Sequence, residues 1–199
     1  IVNGTTRLQP VVLQIGQAAG TIAALSIKEN LSPAKVSVRK VQNRLLEQGG
    51  YLLPYLDVPK DHPRFKVYQR IGATGILKGT GMNVGWENQT WFFPDKVLTQ
   101  PDLDHALSVL KKFKNIPPPE STKNQDMLQW FEELFILLNS KDTGDKKSMD
   151  RNSLKNILGR ELMPDEIIKR GDFALLLDAI IDPFNLYPID HYGQFYLDQ

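Results

Sequence analysis

The chain has 199 residues, 41% of them hydrophobic, enough for a real core in one domain or in a small domain with an appendage. Its 24 basic and 23 acidic side chains give a formal net charge of +1, and no stretch gathers Lys and Arg with interleaved aromatics, which argues against nucleic acid as a partner. Cys is absent, removing disulfides, thiolate metal sites and cysteine nucleophiles; no apolar run approaches the roughly 20 residues of a membrane span, and the first residues lack a signal-peptide layout.

A first helix is predicted from near Leu13 to Lys28, opening on small residues: Gly16-Gln17-Ala18-Ala19-Gly20-Thr21-Ile22-Ala23-Ala24-Leu25. A helix start built of Gly and Ala admits close approach of a backbone or ligand, and its unpaired N–H groups suit an anionic partner. Gly16 and Gly20, four apart, share a face with Ala23 and Ala24, so close helix packing is the alternative reading. Asn30, Ser32 and Pro33 mark a turn. A second helix follows, capped by Ser37, with Val38, Val41 and Leu45 on one stripe and Gly49-Gly50 as a left-handed stop.

Together with Arg7-Leu8-Gln9-Pro10, the small-residue run resembles the last flavin-contacting segment of FAD-dependent oxidoreductases of the two-dinucleotide-binding type. That resemblance implies FAD as cofactor, with Gly16, Gln17, Ala18, Ala19, Gly20 and Thr21 as the cofactor-contacting residues. Backbone N–H groups near Gly16 to Ala18 would face the flavin. It implies further that residues 1–50 are the C-terminal helical segment of a flavin domain whose upstream part, carrying the Rossmann G-x-G-x-x-G, belongs to the same parent chain. The absence of an initiator Met agrees with a fragment that is inactive alone.

From Tyr55 the character changes. Leu56-Asp57-Val58-Pro59-Lys60-Asp61-His62-Pro63 leads to a short helix with Phe65, Tyr68 and Ile71, then Gly75-Ile76-Leu77-Lys78-Gly79 and a wet loop. Phe92-Phe93-Pro94-Asp95-Lys96-Val97-Leu98-Thr99 leads to a helix with Leu103, Ala106, Leu107 and Leu110 on one side, Thr99 as cap and Asp102 in the first turn. This order of features resembles an S-layer homology repeat, with Gln100 where that family has Arg. The pattern returns at Met163-Pro164-Asp165 through Arg170-Gly171-Asp172-Phe173, with Leu177 matching Leu107. Between the copies lie the stiff Pro117-Pro118-Pro119 and an apolar helix with Met127, Leu128, Trp130, Phe131, Leu134, Phe135 and Leu138; Lys141 to Asp150 reads as a charged loop, and Leu154, Ile157 and Leu158 mark a short helix. The aromatic tail, 183–199, should pack back on the helices.

The fold expected is mainly α: a helical hairpin, then residues 51–199 as a small helical domain of two S-layer-homology-like loop-helix repeats (about 55–114 and 124–182), with few or no strands. No catalytic residue is assigned. His62, His105 and His191 sit in separate segments without a metal-ligand spacing. Gly79-Thr80-Gly81 with Gly85 reads as a turn, and Trp86, Trp91, Phe92 and Phe93 around it as core rather than a sugar-stacking surface. The sequons Asn3-Gly4-Thr5 and Asn88-Gln89-Thr90 matter only in a glycosylating pathway.

The leading function is thus the C-terminal part of an FAD-dependent oxidoreductase with a helical interaction appendage. Its first alternative is a cell-surface module that binds carbohydrate or cell-wall polymer; the S-layer resemblance would imply export to the periplasm or cell surface. The second is part of a polysaccharide lyase, the xanthan lyase label carried by some proteins resembling this tail, in which His191 and Tyr192 would supply acid/base groups.

Overall fold

The computed structural model describes residues 8–111, 117–139, 151–161 and 163–195. Asn3-Gly4-Thr5, Arg7, Lys141 to Asp150, Tyr196 and Leu197 therefore lie outside the described residues. Eight α-helices and one two-stranded sheet make the described chain mainly α, and it divides into two units, Ile1–Leu52 with Tyr187–Gln199, and Leu53–Leu186.

In the first unit α1 spans Gln9–Glu29, earlier than the start near Leu13 that the small residues suggested. The reason is Pro10, whose fixed φ and missing N–H suit the first helical turn. Asn30, left-handed at φ 52°, ends the helix. After a 3-10 turn at Pro33–Lys35, α2 spans Val38–Glu47; Ser37 caps it by accepting the Lys40 N–H, and Gly49 at φ 73° follows its end. Val41 and Leu46 are its buried apolar residues. Arg39 is buried too: its Nε donates to the Tyr187 carbonyl at 3.2 Å and its guanidinium lies over Phe195. The tail thus packs on α2, and His191 Nε2 is 3.0 Å from the Ala34 carbonyl.

In the second unit α3 is Phe65–Thr74, and the strands β1 (Thr80–Val84) and β2 (Glu87–Trp91) form an antiparallel hairpin with Thr80 opposite Trp91 and Val84 opposite Glu87. The stretch read as a turn and wet loop is therefore a β-hairpin, its turn containing Gly85 at φ 59°. Gly79 before it is required by close approach, since a Cβ there would stand 2.5 Å from Tyr55 Cε1. The remaining helices are α4 (Gln100–Lys111), α5 (Asn124–Asn139), α6 (Arg151–Leu158), α7 (Arg170–Ile180) and α8 (Pro183–Leu186). Helix α7 is central, packed by α3, α5, α6 and α8. Phe92, Phe131, Phe173, Phe184, Ile71 and Leu110 are fully buried in this unit.

The two Pro-Asp segments adopt the same course, a turn then an extended residue pair entering a helix. Leu98 and Ile168, Leu103 and Phe173, Ala106 and Leu176, Leu107 and Leu177 are buried at matching positions. The segments pair with each other: Val97 bridges Lys169 antiparallel, Leu98 N–H donates to the Ile168 carbonyl at 2.7 Å, and Arg170 N–H to the Lys96 carbonyl at 2.9 Å. A third lead-in joins on the other side, where Lys123 bridges Ile167 and Ile168 N–H donates to the Thr122 carbonyl at 3.2 Å. Three helices, α4, α5 and α7, consequently start from adjacent extended segments, each with an acid in its first turn: Asp102, Asp126 and Asp172.

Candidate functional site

Gly16 to Thr21 lie inside α1, two turns from its start, which corrects the expectation that they open the helix. Amides there donate to carbonyls four residues back, so Gly16, Gln17 and Ala18 offer no free N–H to an anion. The real start has little to offer either. Pro10 has no N–H, and Val11 and Val12 both donate to the Leu8 carbonyl, at 3.0 and 3.1 Å. What the run offers is access: a Cβ at Gly16 or Gly20 would meet nothing within 4 Å.

Gln17, Gly20 and Thr21 line an open cleft of about 630 Å³ in the first unit, faced by Lys40, Asn43 and Arg44 of α2. Gly16 and Ala19 are exposed and Ala18 half-buried, so the six candidates do not share one surface. Thr21 is the buried residue of α1, its hydroxyl donating to the Gln17 carbonyl at 2.8 Å. Of the cations in the cleft, Lys40 pairs with Glu29 at 2.9 Å and Arg44 with Glu47 at 2.9 Å.

Around this cleft α1 is apolar and open: Leu8, Val12, Leu13, Ile15 and Ile27 are all more than half exposed or at that mark. The helix is long and apolar enough to cross a membrane, by length and composition only. This corrects the expectation that no apolar run approaches span length: Gln14, Gly16, Gln17, Gly20 and Thr21 break the run, but the Val, Leu, Ile and Ala residues around them keep its mean hydropathy high.

Residues 1–45 match the family model described as FAD dependent oxidoreductase. The likeness to FAD-dependent oxidoreductases thus covers the first 45 of 199 residues. The match contains all of α1, the six small-residue candidates and most of α2. That family's name implies FAD as its cofactor. No curated protein and no solved structure matches the chain.

In the second unit the histidines serve the backbone. His62 Nδ1 accepts the Arg64 N–H at 3.0 Å and His105 Nε2 lies 2.9 Å from the Gly75 carbonyl. Tyr192, beside His191 in the tail, is almost fully exposed. Among the described residues, no group of three His, Cys, Asp or Glu side chains is placed to hold a metal ion.

The strongest polar constellation of this unit was not singled out from sequence. The Arg170 guanidinium is buried, donating to the Phe92 carbonyl at 3.2 Å, the Lys78 carbonyl at 2.8 Å and the Asp102 carboxylate, and lying over the Phe92 ring at 5.6 Å. Burial opposes ionisation of Asp102, but the Thr99 hydroxyl at 2.8 Å and Arg170 outweigh it and hold the carboxyl below its ordinary value. At the matching position in α7, buried Asp172 takes Arg64 Nη1 at 2.7 Å and Arg160 Nη2 at 2.6 Å. Arg70 spans Asp178, at 2.9 Å, and Asp182. Each of these pairs ties one lead-in or helix to another, which is the work of a scaffold. The available signal was the register itself: Arg170-Gly171-Asp172 repeats Gln100-Pro101-Asp102, with Arg in only one copy.

Proposed function

We propose that residues 1–50, on which the tail from Tyr187 packs, complete the flavin domain of an FAD-dependent oxidoreductase and that the second unit, Leu53–Leu186, is a helical interaction appendage without chemistry of its own. The observation that carries this reading is the family match over residues 1–45, seated on a helix whose apolar side chains stand exposed. Such a helix is what an inner element of a larger domain looks like when seen without its partners. The chain contains no G-x-G-x-x-G, so the dinucleotide cradle belongs to sequence beyond these residues.

On this reading FAD, when bound, supplies the hydride chemistry. Gly16 and Gly20 give α1 a surface without side chains, against which the cofactor domain closes and from which water is excluded. Gln17 and Thr21 flank that surface, and Thr21 fixes its own hydroxyl on the Gln17 carbonyl. The second unit holds itself together through Arg170, Asp172 and Arg70, and its paired S-layer-like lead-ins give it a rigid frame for contacts with other molecules.

The test is the visible absorption spectrum of the longer chain that includes the flavin domain. Flavin bands that weaken in Gly16→Leu, with far-UV circular dichroism unchanged, support the reading. A colourless, folded longer chain overturns it, and retention unaffected by Gly16→Leu leaves helix packing as the purpose of the small residues.

A further inference from the structure

We propose that the β1–β2 hairpin is a binding site for a neutral glycan, with the indole of Trp86 as its stacking platform. The sequence reading took the aromatics here as one core cluster, but the structure divides them. Phe92 is buried, Trp91 and Phe93 are half-buried, and Trp86, next to Gly85 in the turn, stands fully in water. A large planar apolar group held at the end of a paired strand has lost little freedom to be there, and it presents a face on which the C–H edges of a sugar ring can stack.

The groups around it set the class of ligand. Between Thr80 and Trp91 the only ionisable side chain is that of Glu87; the other polar groups are hydroxyls and carboxamides, with Asn83 directly opposite Asn88 and both exposed. Carboxamides donate and accept at once, which matches vicinal hydroxyls. At the base of the hairpin Trp91 provides a second ring, stacked on Phe93 at 5.7 Å and 11° and fixed by its Nε1 donating to Gln89 Oε1 at 3.1 Å. Gln89 in turn donates to Glu87 at 3.0 Å. Side chains alternate across a strand, so Trp91 shares a face with Glu87 and Gln89; it supports the base of the hairpin, and Trp86 alone is the platform at its tip.

Charge and area select among occupants. Between Thr80 and Trp91 there is no Lys or Arg, so at the tip of the hairpin a uronate polymer or an anionic lipid surface meets the Glu87 carboxylate; the cation Lys96 lies at the base, over the Phe93 ring at 3.5 Å. Insertion into any bilayer would strip water from Asn83, Asn88 and Gln89, each a costly desolvation. One hairpin end is also too small for a stable protein interface, which needs roughly 800 Å² per partner. A neutral, hydroxyl-rich chain suits the Trp86 indole and the exposed Asn83–Asn88 pair, and meets no buried charge there.

The proposal does not depend on the flavin reading and is tested on this chain directly. The measurement is affinity electrophoresis in gels containing soluble neutral glucan, mannan or xylan, beside gels containing polygalacturonate, with sedimentation against zwitterionic and anionic phospholipid vesicles. We expect retardation in a neutral gel, weakened by about tenfold in Trp86→Ala and partly kept in Trp86→Phe, with an unchanged thermal midpoint because Trp86 touches no core. Absence of retardation in every neutral gel, retardation that survives Trp86→Ala, or Trp86-dependent pelleting with vesicles would each overturn it.

Discussion

Removing the Arg170 guanidinium, as in Arg170→Met, should cost the second unit about 3 to 4 kcal/mol. Met keeps most of the stem packing, so the loss is that of the charged head. Two carbonyls, those of Phe92 and Lys78, lose a charged donor at 3.2 and 2.8 Å, worth roughly 1.5 kcal/mol each. The Asp102 side chain is 28% exposed against 8% for Arg170, so water takes up part of the broken pair, and we count below about 1 kcal/mol for it. The assay is urea unfolding followed by tryptophan fluorescence, since Trp130 is buried against Phe131 and Phe173 and reports on this unit. At a slope near 2 kcal/mol per molar urea, the midpoint should fall by about 2 M. The control is Lys155→Ala in the same unit, whose ion pair with Glu161 is solvent-exposed on both sides and should move stability by less than about 0.5 kcal/mol. A fall below about 0.5 M for Arg170→Met, or equal falls for the two variants, would refute the assignment of Arg170 as the clasp between the lead-ins.

Asp57 accepts the backbone N–H groups of Phe92 at 2.8 Å and Phe93 at 2.6 Å, so Asp57→Ala should destabilise by about 2 to 3 kcal/mol, read as a lower thermal midpoint. Gly171→Ala should cost about 1 to 3 kcal/mol, because the new Cβ would stand 3.0 Å from the Pro94 carbonyl oxygen, whereas Gly20→Ala, with open space around it, should stabilise α1 by up to about 1 kcal/mol; opposite signs in chemical denaturation check both. Burial, against the pull of Arg70, pushes the Asp178 carboxyl up from 3.8 to about 6. A raised folded value means that the proton is held more tightly in the folded chain. The stabilisation from this group is therefore full below about pH 4 and is lost as pH rises through about 6. Asp178→Asn should flatten that part of the stability profile, and an unchanged profile would show that Arg70 keeps Asp178 ionised throughout.

Much of the fold was legible because it rests on local signals. The Ser37 and Thr99 caps, the left-handed Gly49 and the apolar spacing of Leu103, Ala106, Leu107 and Leu110 stand where the chain pattern put them. So does the matched spacing that leads to Phe173 and Leu177. The site was less legible. Small residues named the region that the family match then covered, but they misplaced the helix start, since Pro10 outweighs a Gly-Ala run as an initiator. The hairpin was missed because Thr80 to Trp91 buries almost nothing: Met82, Val84 and Trp86 alternate with Asn83, Gly85 and Glu87 but stand exposed, and the strands are held by their pairing and by the bridge from Tyr55 to Thr90, which is not a local signal.

By itself, then, the sequence determined the helical class, the helix caps, the repeated lead-in and the likeness of the first 45 residues to FAD-dependent oxidoreductases, because capping, periodicity and short motifs act over a few neighbouring residues. Only tertiary structure decided which charges are buried and which rings face water. Arg170 reaches Asp102, Phe92 and Lys78 across 68 to 92 residues of chain, and no local rule distinguishes it from exposed Arg44. Trp86 and Phe92, six positions apart in one aromatic cluster, part company because pairing carries the hairpin away from the core that Phe92 fills.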